Sequence, residues 1–259
     1  MKNIAVLVNS CDDYSEVWPY FFTLFFRNFD IKNHLFETKI FLNTETKHYY
    51  DSRVVTLNCD SNVSWSTRFK HALNEIKSEF VIVLLDDFFL MSEVDLNEIS
   101  SICDYLANSE AHAFYFKHIT GQNSNHLIFD RYIKMDPNIK YFMTFQACVW
   151  KREKLIEIIK DGLSPWEIEE KNDINNRNTL ILYCDSRGSY TDCSTDVFPY
   201  LWAFESGYGI CKSCWLWNNK KLFKQYGLRL KRKKLGYISK WSVTYSRFSK
   251  RIKARLFNK

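Results

Sequence analysis

The stretch FVIVLLDD at residues 80–87 decides the fold class, because a continuous apolar run leads directly into two carboxylates. A short apolar run rich in β-branched residues is typical of a strand that is buried on both faces. In open α/β sheets, ligands bind outside the carboxyl ends of the strands. We therefore predict a buried strand that presents Asp86 and Asp87 to a ligand site.

The segments around this stretch alternate between strand-like and helix-like patterns. Strand patterns occur at 4–10, 38–44, 54–58, 113–119, 141–150 and 179–185. Helix patterns occur at 15–29, 64–78, 95–108, 151–162, 164–173 and 218–227. Such alternation indicates an α/β fold with a mostly parallel sheet flanked by helices. We predict a single domain over residues 1–227 and a basic, helical C-terminal extension over 228–259.

The composition excludes several classes of protein. The chain has 259 residues but only 7 glycines, and neither G-x-x-x-x-G-K-[ST] nor G-x-G-x-x-G occurs in it. The nearest match, GYGICK at 207–212, lacks the third glycine. The apolar run at 80–85 is far too short for a membrane span. The opening MKNIAVLVNS fits a first strand better than a signal peptide.

The charge is divided unevenly along the chain. Residues 220–259 hold fifteen of the 36 Lys and Arg side chains and no Asp or Glu, so the rest of the chain is net acidic. A basic segment of this kind suits an anionic partner, such as a membrane surface, a nucleic acid or an acidic polymer. The alternative is a solvated C-terminal face.

Eight cysteines are spread through the chain, several of them within apolar segments. Without a secretory signal, this pattern predicts free, buried thiols in a reducing cytoplasm. Cys211 and Cys214 have the spacing of a zinc-binding pair, but no second Cys or His pair accompanies them, so the metal interpretation is weak.

Asp86 and Asp87 are the strongest local signal for chemistry. Two adjacent carboxylates can hold a hard divalent cation, and Mg²⁺ needs only one or two of them because substrate phosphates complete its shell. The alternative is that one aspartate caps the following turn and the other is solvated.

Four stretches resemble sugar-nucleotide-dependent glycosyltransferases of the GT-A fold, and more narrowly those of bacterial capsule and lipopolysaccharide gene clusters. They are VLLDDFFL (83–90), the helix WSTRFKHALNEI that precedes it (65–76), the loop NSCDDYSEVWPYFF (9–22) and the segment 145–169, which runs from FQACVWKREKL to SPWEIE. The resemblance implies a GT-A-like, Rossmann-type sheet. It also implies transfer of a hexose, with inversion, from a nucleotide sugar (UDP by default) to a glycan or lipid-linked acceptor in surface-polysaccharide synthesis.

The same resemblance implies roles for individual residues at the donor site. Asp87 would bind a divalent cation, Mn²⁺ or Mg²⁺, and Asp86 would contact the ribose, the metal or a metal-bound water. The family pattern has two acids that flank one residue, whereas position 88 is Phe, so this sequence departs from the metal-binding pattern of the family. The residues implied to contact the donor nucleotide are Ser10, Asp12, Asp13, Tyr14, Arg68 and, through the late segment GYGICKSCWLW (207–217), Lys212.

The SPWEIE segment resembles the part of the family that carries an acid close to the acceptor. Inverting transfer needs a general base that takes a proton from the attacking hydroxyl. Glu167 and Glu169 are two residues apart, so in a helical turn they point to different sides, and Glu169 is the favoured base. The alternative is a helix N-terminal acid that the helix dipole stabilises.

The tail suggests where such an enzyme works. In RFSKRIKARLF (247–257), helical spacing places Phe248, Ile252 and Leu256 on one apolar stripe among cations. We expect it to dock the enzyme on the anionic, cytoplasmic face of a membrane, with no role for nucleic acid.

Two other interpretations of the function remain. A Mg²⁺-dependent nucleotidyltransferase would normally bring a Gly-rich phosphate loop, and a nucleic-acid-binding protein would bring a recognisable motif; neither occurs here.

Overall fold

The structure is a computed structural model, and it describes ten segments of the chain. They are residues 2–117, 127–129, 132–138, 142–171, 179–184, 197–200, 209–211, 214–216, 219–228 and 237–238.

Nine strands form one sheet with the order β3-β2-β1-β4-β8-β5-β9-β7-β6. The strands are β1 (Lys2–Asn9), β2 (Phe36–Thr44), β3 (Val54–Asn58), β4 (Phe80–Leu85), β5 (Ala113–Tyr115), β6 (Leu127–Phe129), β7 (Tyr132–Lys134), β8 (Cys148–Lys151) and β9 (Ile181–Cys184). Only β7 and β8 run against the others, since their pairings with β6, β9, β4 and β5 are all antiparallel. The predicted fold class, a mostly parallel α/β sheet flanked by helices, is confirmed.

The described segments contain six α-helices. They are α1 (Trp18–Asn28), α2 (Trp65–Glu75), α3 (Leu96–Ala107), α4 (Arg152–Ile158), α5 (Pro165–Lys171) and α6 (Asn219–Gln225). The side chain of Ser64 caps α2 by accepting from Thr67 N. Asp95 caps α3 by accepting from Glu98 N, as the D-x-x-E spacing predicts.

The helices cover both faces of the sheet, and the alternation of residues along β1 shows how. Val6 and Val8 pack in one core with side chains from α1 and α3. Ala5 and Leu7 point the other way and pack with α2, α4 and α5. The central strands are therefore buried on both sides, which is why β4 reads as a continuous apolar run.

A second, three-stranded sheet lies in the C-terminal part of the chain. It consists of β10 (Ile210–Cys211), β11 (Cys214–Leu216) and β12 (Tyr237–Ile238), and β12 pairs in parallel with β11. The expectation of a helical tail is wrong at Tyr237–Ile238, because this pair is a strand. The rest of 229–259 lies outside the described residues, and the domain boundary after residue 227 stays a prediction.

Three further expectations need correction or support. The predicted strand at 141–150 begins only at Cys148, and the hairpin of β6 and β7 was not anticipated. The six cysteines that the structure describes in detail are free, and three of them are buried. Within the described part of the chain, no helix is both long and apolar enough to cross a membrane.

Candidate functional site

The acidic pair lies just beyond the carboxyl end of β4 and is almost inaccessible to solvent. Asp86 is 4% exposed and Asp87 is 8% exposed. The Ser10 hydroxyl donates to Asp86 Oδ2, and the Trp18 indole donates to Ser10 Oγ at 2.6 Å. Neighbouring parallel strands β1 and β4 end side by side, so the structure brings together Ser10 and Asp86, which were both assigned to the donor site.

Burial controls the electrostatics of this pair. The pKa of Asp86 lies well above its ordinary value, chiefly because the carboxyl is desolvated and secondly because Asp87 is close. Burial also raises the pKa of Asp87 to about 7, although a backbone N–H partly offsets the effect. The alternative of one capping and one solvated aspartate is therefore wrong, because neither carboxyl is solvated.

The backbone at residues 209–210, where β10 begins, forms hydrogen bonds with Asp87. Gly209 N donates to the Asp87 carbonyl oxygen at 3.1 Å, and Ile210 N donates to Asp87 Oδ2 at 3.2 Å. A Cβ on Gly209 would collide with the Phe89 ring and come within 2.9 Å of the Asp87 carbonyl oxygen, so only glycine fits. Lys212 lies outside the described residues, and its role as a diphosphate contact stays a prediction.

The first loop forms a 3-10 turn at Asp12–Tyr14, and Asp12 holds it to the end of β2. Its carboxylate accepts hydrogen bonds from Thr44 Oγ1 at 2.9 Å, Thr46 N at 3.1 Å and Lys47 N at 3.0 Å. Burial alone would raise the pKa of Asp12, but the bonds from residues 44–47 outweigh it and lower the pKa below its usual range. The described contacts of this carboxylate thus serve the loop. Donor contacts by Asp12, Asp13 and Tyr14 stay predictions.

Arg68 is buried rather than a surface cation of its helix. Its residue exposure is 4%, and its guanidinium forms an ion pair with Glu45, which also accepts from Asp12 N. Glu45 thereby links α2 to the first loop. Glu45 was missed by the sequence analysis, although its position directly after a strand is the kind of signal that singled out Asp86.

Glu167 and Glu169 have different surroundings, as their spacing predicted. Glu167 Oε2 accepts from Ser164 N and Ser164 Oγ, both at 2.9 Å, and Ser164 Oγ accepts from Glu167 N, so this pair is a capping box for α5. Glu169 Oε1 accepts from Thr144 Oγ1 at 2.9 Å and from Phe145 N at 2.7 Å. Burial raises the pKa of Glu169 despite these bonds.

Glu169 lies at the same edge of the sheet as the acidic pair. Both Val83 of β4 and Tyr115 of β5 pair with Cys148, the first residue of β8. Because β8 runs antiparallel, the residues before it, including Phe145, lie beyond the carboxyl ends of β4 and β5. The structure therefore gathers Ser10, Asp86, Asp87 and Glu169 along one edge.

Lys117 is a second residue that the sequence analysis missed. It follows β5 at this edge and is 5% exposed, and its ammonium lies 4.6 Å from the ring centroid of Tyr200. Tyr200 in turn stacks on Phe88, with ring centroids 4.6 Å apart. A buried cation thus lies near the residue that follows the acidic pair. The sequence analysis placed this lysine inside the predicted strand 113–119, so no signal distinguished it.

The acidic pair offers a divalent cation a suitable but incomplete set of ligands. Among the described residues, no group of three or more His, Cys, Asp or Glu side chains could hold a metal ion. Two carboxylates are sufficient for a cation whose remaining ligands are substrate phosphates. Asp87 also raises the pKa of Asp86, a repulsion that a bound cation would relieve. The residues fit such an ion.

Comparison with known proteins gives structural likenesses alone. No protein-family model and no curated protein sequence matches the chain. Similar solved structures include S. aureus TarS 1–349 (14% identity, TM-score 0.45, 73% of this chain and 59% of that chain). They also include the mannosyltransferase PcManGT from Pyrobaculum calidifontis in complex with GDP-Man and Mn²⁺ (9% identity, TM-score 0.40, 73% and 59%). A third is a cytidylyltransferase from Leptospira borgpetersenii (11% identity, TM-score 0.37, 65% and 68%).

The chain spans less than two thirds of the length of the first two of these structures. At TM-scores below 0.5 such likenesses do not establish a function, and the fold class rests on the strand order described above.

Proposed function

We propose that the protein is a glycosyltransferase that takes a hexose from a nucleotide sugar, UDP-linked by default, and passes it to a glycan or lipid-linked acceptor. The observation that supports this proposal best is the buried pair Asp86–Asp87 at the carboxyl end of β4, with Glu169 at the same edge of the sheet. By the resemblance of its four motifs, we place the reaction in the synthesis of a surface polysaccharide such as capsule or lipopolysaccharide.

Glu169 is the general base in this proposal. It takes a proton from the acceptor hydroxyl while that oxygen attacks the anomeric carbon and the bond to the donor phosphate breaks, which inverts the configuration and releases the nucleoside diphosphate. A raised pKa favours this role, because a base whose pKa approaches the working pH accepts a proton more readily. Glu167 caps α5 and supports the segment that carries Glu169.

Asp86 and Asp87 would hold the divalent cation, Mn²⁺ or Mg²⁺, together with the donor's diphosphate oxygens. The cation would neutralise the charge that develops on the leaving diphosphate. Ser10 orients Asp86, and Ile210 N orients Asp87. The first loop at 12–14, Arg68 and Lys212 are proposed to contact the nucleotide, with Arg68 held in place by Glu45.

Nucleotide binding tests the proposal directly. UDP and other nucleoside diphosphates, added with and without Mn²⁺, should raise the melting temperature, because a ligand at 100 times its Kd stabilises by about 2.7 kcal/mol. A screen of nucleotide sugars should then show slow hydrolysis of one donor to free sugar. Release of pyrophosphate from a nucleoside triphosphate and a sugar phosphate would instead identify a nucleotidyltransferase. No shift with any nucleotide would contradict both.

The basic tail is proposed to hold the enzyme on an anionic, cytoplasmic membrane surface. Each engaged cation contributes about 1 kcal/mol near an anionic leaflet. Replacing the five cations of 247–255 with Gln keeps β12 and the chain length, and it should abolish low-salt co-sedimentation with phosphatidylserine vesicles. Equal binding by the variant and the natural chain would contradict this role. The exchanged residues are Arg247, Lys250, Arg251, Lys253 and Arg255.

A further inference from the structure

Asn219, the first residue of α6, is a polar side chain enclosed by apolar ones. Its exposed fraction is 0%. Leu222 and Phe223, three and four residues further along the helix, lie on the same side of it and are also buried. The Phe223 ring meets the rings of Phe89 and Trp215 edge to face, with ring centroids 5.4 Å and 5.6 Å apart. An amide in such surroundings must find its hydrogen-bond partners within the protein.

Only half of this amide is paired among the residues that the structure describes. Its Nδ2 donates to the Gly209 carbonyl oxygen, whereas its Oδ1 is buried and has no hydrogen-bond partner there. A buried acceptor without a partner lowers the stability of the folded state. The gain from the Nδ2 bond is thus offset by the loss at Oδ1, and stability alone gives no reason for an amide at position 219. A residue of this kind is a candidate for a functional role.

The hydrogen bond from Asn219 acts on the peptide group that joins Gly209 to Ile210. The carbonyl oxygen of this group accepts from Asn219, and its N–H, at Ile210, donates to Asp87 Oδ2 at 3.2 Å. A trans peptide is planar, and its C=O and N–H point in opposite directions, so one plane links the two side chains. Because Gly209 has no Cβ to restrict rotation of its backbone, the bond from Asn219 is needed to restrain the plane from the side opposite Asp87.

We propose that Asn219 is a positioning residue for the cation site, and that it sets the orientation of the Asp87 carboxylate through the Gly209–Ile210 peptide. Without this restraint the peptide is free to rotate, and Asp87 Oδ2 loses the N–H that fixes it. Removing a partner that orients a metal-binding side chain typically lowers metal affinity by about 10- to 100-fold. The inference rests on the proposed function, because the cation is the one that is proposed there to bind Asp86 and Asp87.

The test measures Mn²⁺ binding by the full chain without nucleotide, from the electron paramagnetic resonance signal of free Mn²⁺. The site that is counted is the one that Asp87→Asn removes. Asn219→Leu has a similar volume but no donor, and it should weaken Mn²⁺ binding by about 10- to 100-fold. Its melting temperature should stay close to that of the natural protein, since the unpaired Oδ1 is exchanged for an unpaired Gly209 carbonyl oxygen.

Leu222→Ala is the matched control, because Leu222 is buried on the same side of α6 and has no hydrogen-bonding group in its side chain. The cavity that it leaves should lower the melting temperature more than Asn219→Leu does, while the Mn²⁺ affinity should stay within about twofold of the natural value. Should Asn219→Leu not fold, Asn219→Ala removes the same donor without a branched side chain, and its Mn²⁺ affinity decides in the same way.

A natural Mn²⁺ affinity in the Asn219 variants would overturn the inference, and so would the absence of any Mn²⁺ site that depends on Asp87. A loss of affinity in Leu222→Ala as large as that in Asn219→Leu would also overturn it, since α6 would then act through its packing alone. Failure of the proposed function is visible separately: Mn²⁺ binding would respond to Asn219 as expected, but the natural protein would hydrolyse no nucleotide sugar.

Discussion

The first loop and the carboxyl end of β4 both present aspartates to the same edge of the sheet, but their surroundings shift the pKa values of these aspartates in opposite directions. Asp12 accepts hydrogen bonds from three residues of the loop at 44–47, and its pKa is lowered. Asp86 is buried with a serine hydroxyl as its side-chain partner, and its pKa is raised. The fold stabilises the first carboxylate in its charged form, whereas the charged form of the second would be stabilised by the cation that is proposed to bind there.

The same contrast separates the two glutamates of α5. Glu167 completes a capping box, while Glu169 is half-buried and desolvation raises its pKa. The residue type is the same within each comparison. What distinguishes a structural carboxylate from a candidate reactive one is therefore the balance between hydrogen bonds and burial.

The largest expected effect tests the β4 side of the comparison. Asp87→Asn should lower transfer by about 10³-fold, because charge stabilisation worth several kcal/mol is lost with the carboxylate. Its melting temperature should not fall, since the replaced group is a buried acid whose ionised form is disfavoured. Activity close to that of the natural enzyme would remove Asp87 from the site.

The two glutamates provide the next test. Glu169→Gln should lower kcat by about 10²–10⁴-fold, the usual size of a general-base contribution, with little change in donor binding. Glu167→Gln, the matched control, should cost at most about 1 kcal/mol of stability through the weakened cap. If Glu167→Gln lowers kcat and Glu169→Gln does not, the general base is Glu167.

The raised pKa of Glu169 also fixes a pH dependence. Its ionised form is the costly one in the folded state, so its favourable contribution is complete below the unfolded pKa and is lost as pH rises through the folded pKa. Glu169→Gln should therefore gain stability relative to the natural protein as pH rises. The kcat of the natural enzyme should rise over the same pH range, because Glu169 then loses its proton and can act as a base. Thermal melts across the pH range read out the first trend, and a constant difference would contradict it.

Substitution of two glycines should be destabilising for different reasons, crowding at one position and backbone conformation at the other. Gly209→Ala should destabilise by about 1–3 kcal/mol and lower activity, because its Cβ collides with Phe89 and presses on Asp87. Gly162 has a φ of 84° with open space around it, so Gly162→Ala should cost about 1 kcal/mol through backbone strain and leave kcat unchanged. Equal kinetics in the two variants would mean that Asp87 does not depend on the late segment.

The smallest effect is expected at the first loop. Asp12→Asn should lower the melting temperature at neutral pH, because charged hydrogen bonds to the loop are weakened. A lowered pKa contributes stability above the unfolded value, near 3.9, and that contribution is lost as pH falls through the folded value. The gap between the two melting temperatures should thus narrow in acid. A melting temperature equal to that of the natural protein at neutral pH would contradict the structural role of this carboxylate.

The sequence predicted the first half of the fold better than the second, for a physical reason. β3 was predicted with its bounds, and α3 from its cap, because their signals are local. β8 begins only at Cys148, because the apolar residues before it lie beyond the carboxyl ends of β4 and β5 and do not take part in strand pairing. Among the partners of the acidic pair, Ser10 was assigned to the donor site through the resemblance, whereas the hydrogen bond from Gly209 to Asp87 joins segments that are distant in the sequence. The same is true of the ion pair between Glu45 and Arg68 and of the contact between Lys117 and Tyr200.

The place of β8 in the sheet has a consequence for the order in which the chain can fold. β4 and β5 are joined only through β8, which comes later in sequence than either. During synthesis, the FVIVLL edge of β4 therefore stays unpaired until residues 148–151 have emerged. An exposed apolar edge of this kind is a template for pairing with other chains. A fragment that ends before Cys148 would lack the strand that covers this edge, and it should aggregate even though it contains both aspartates.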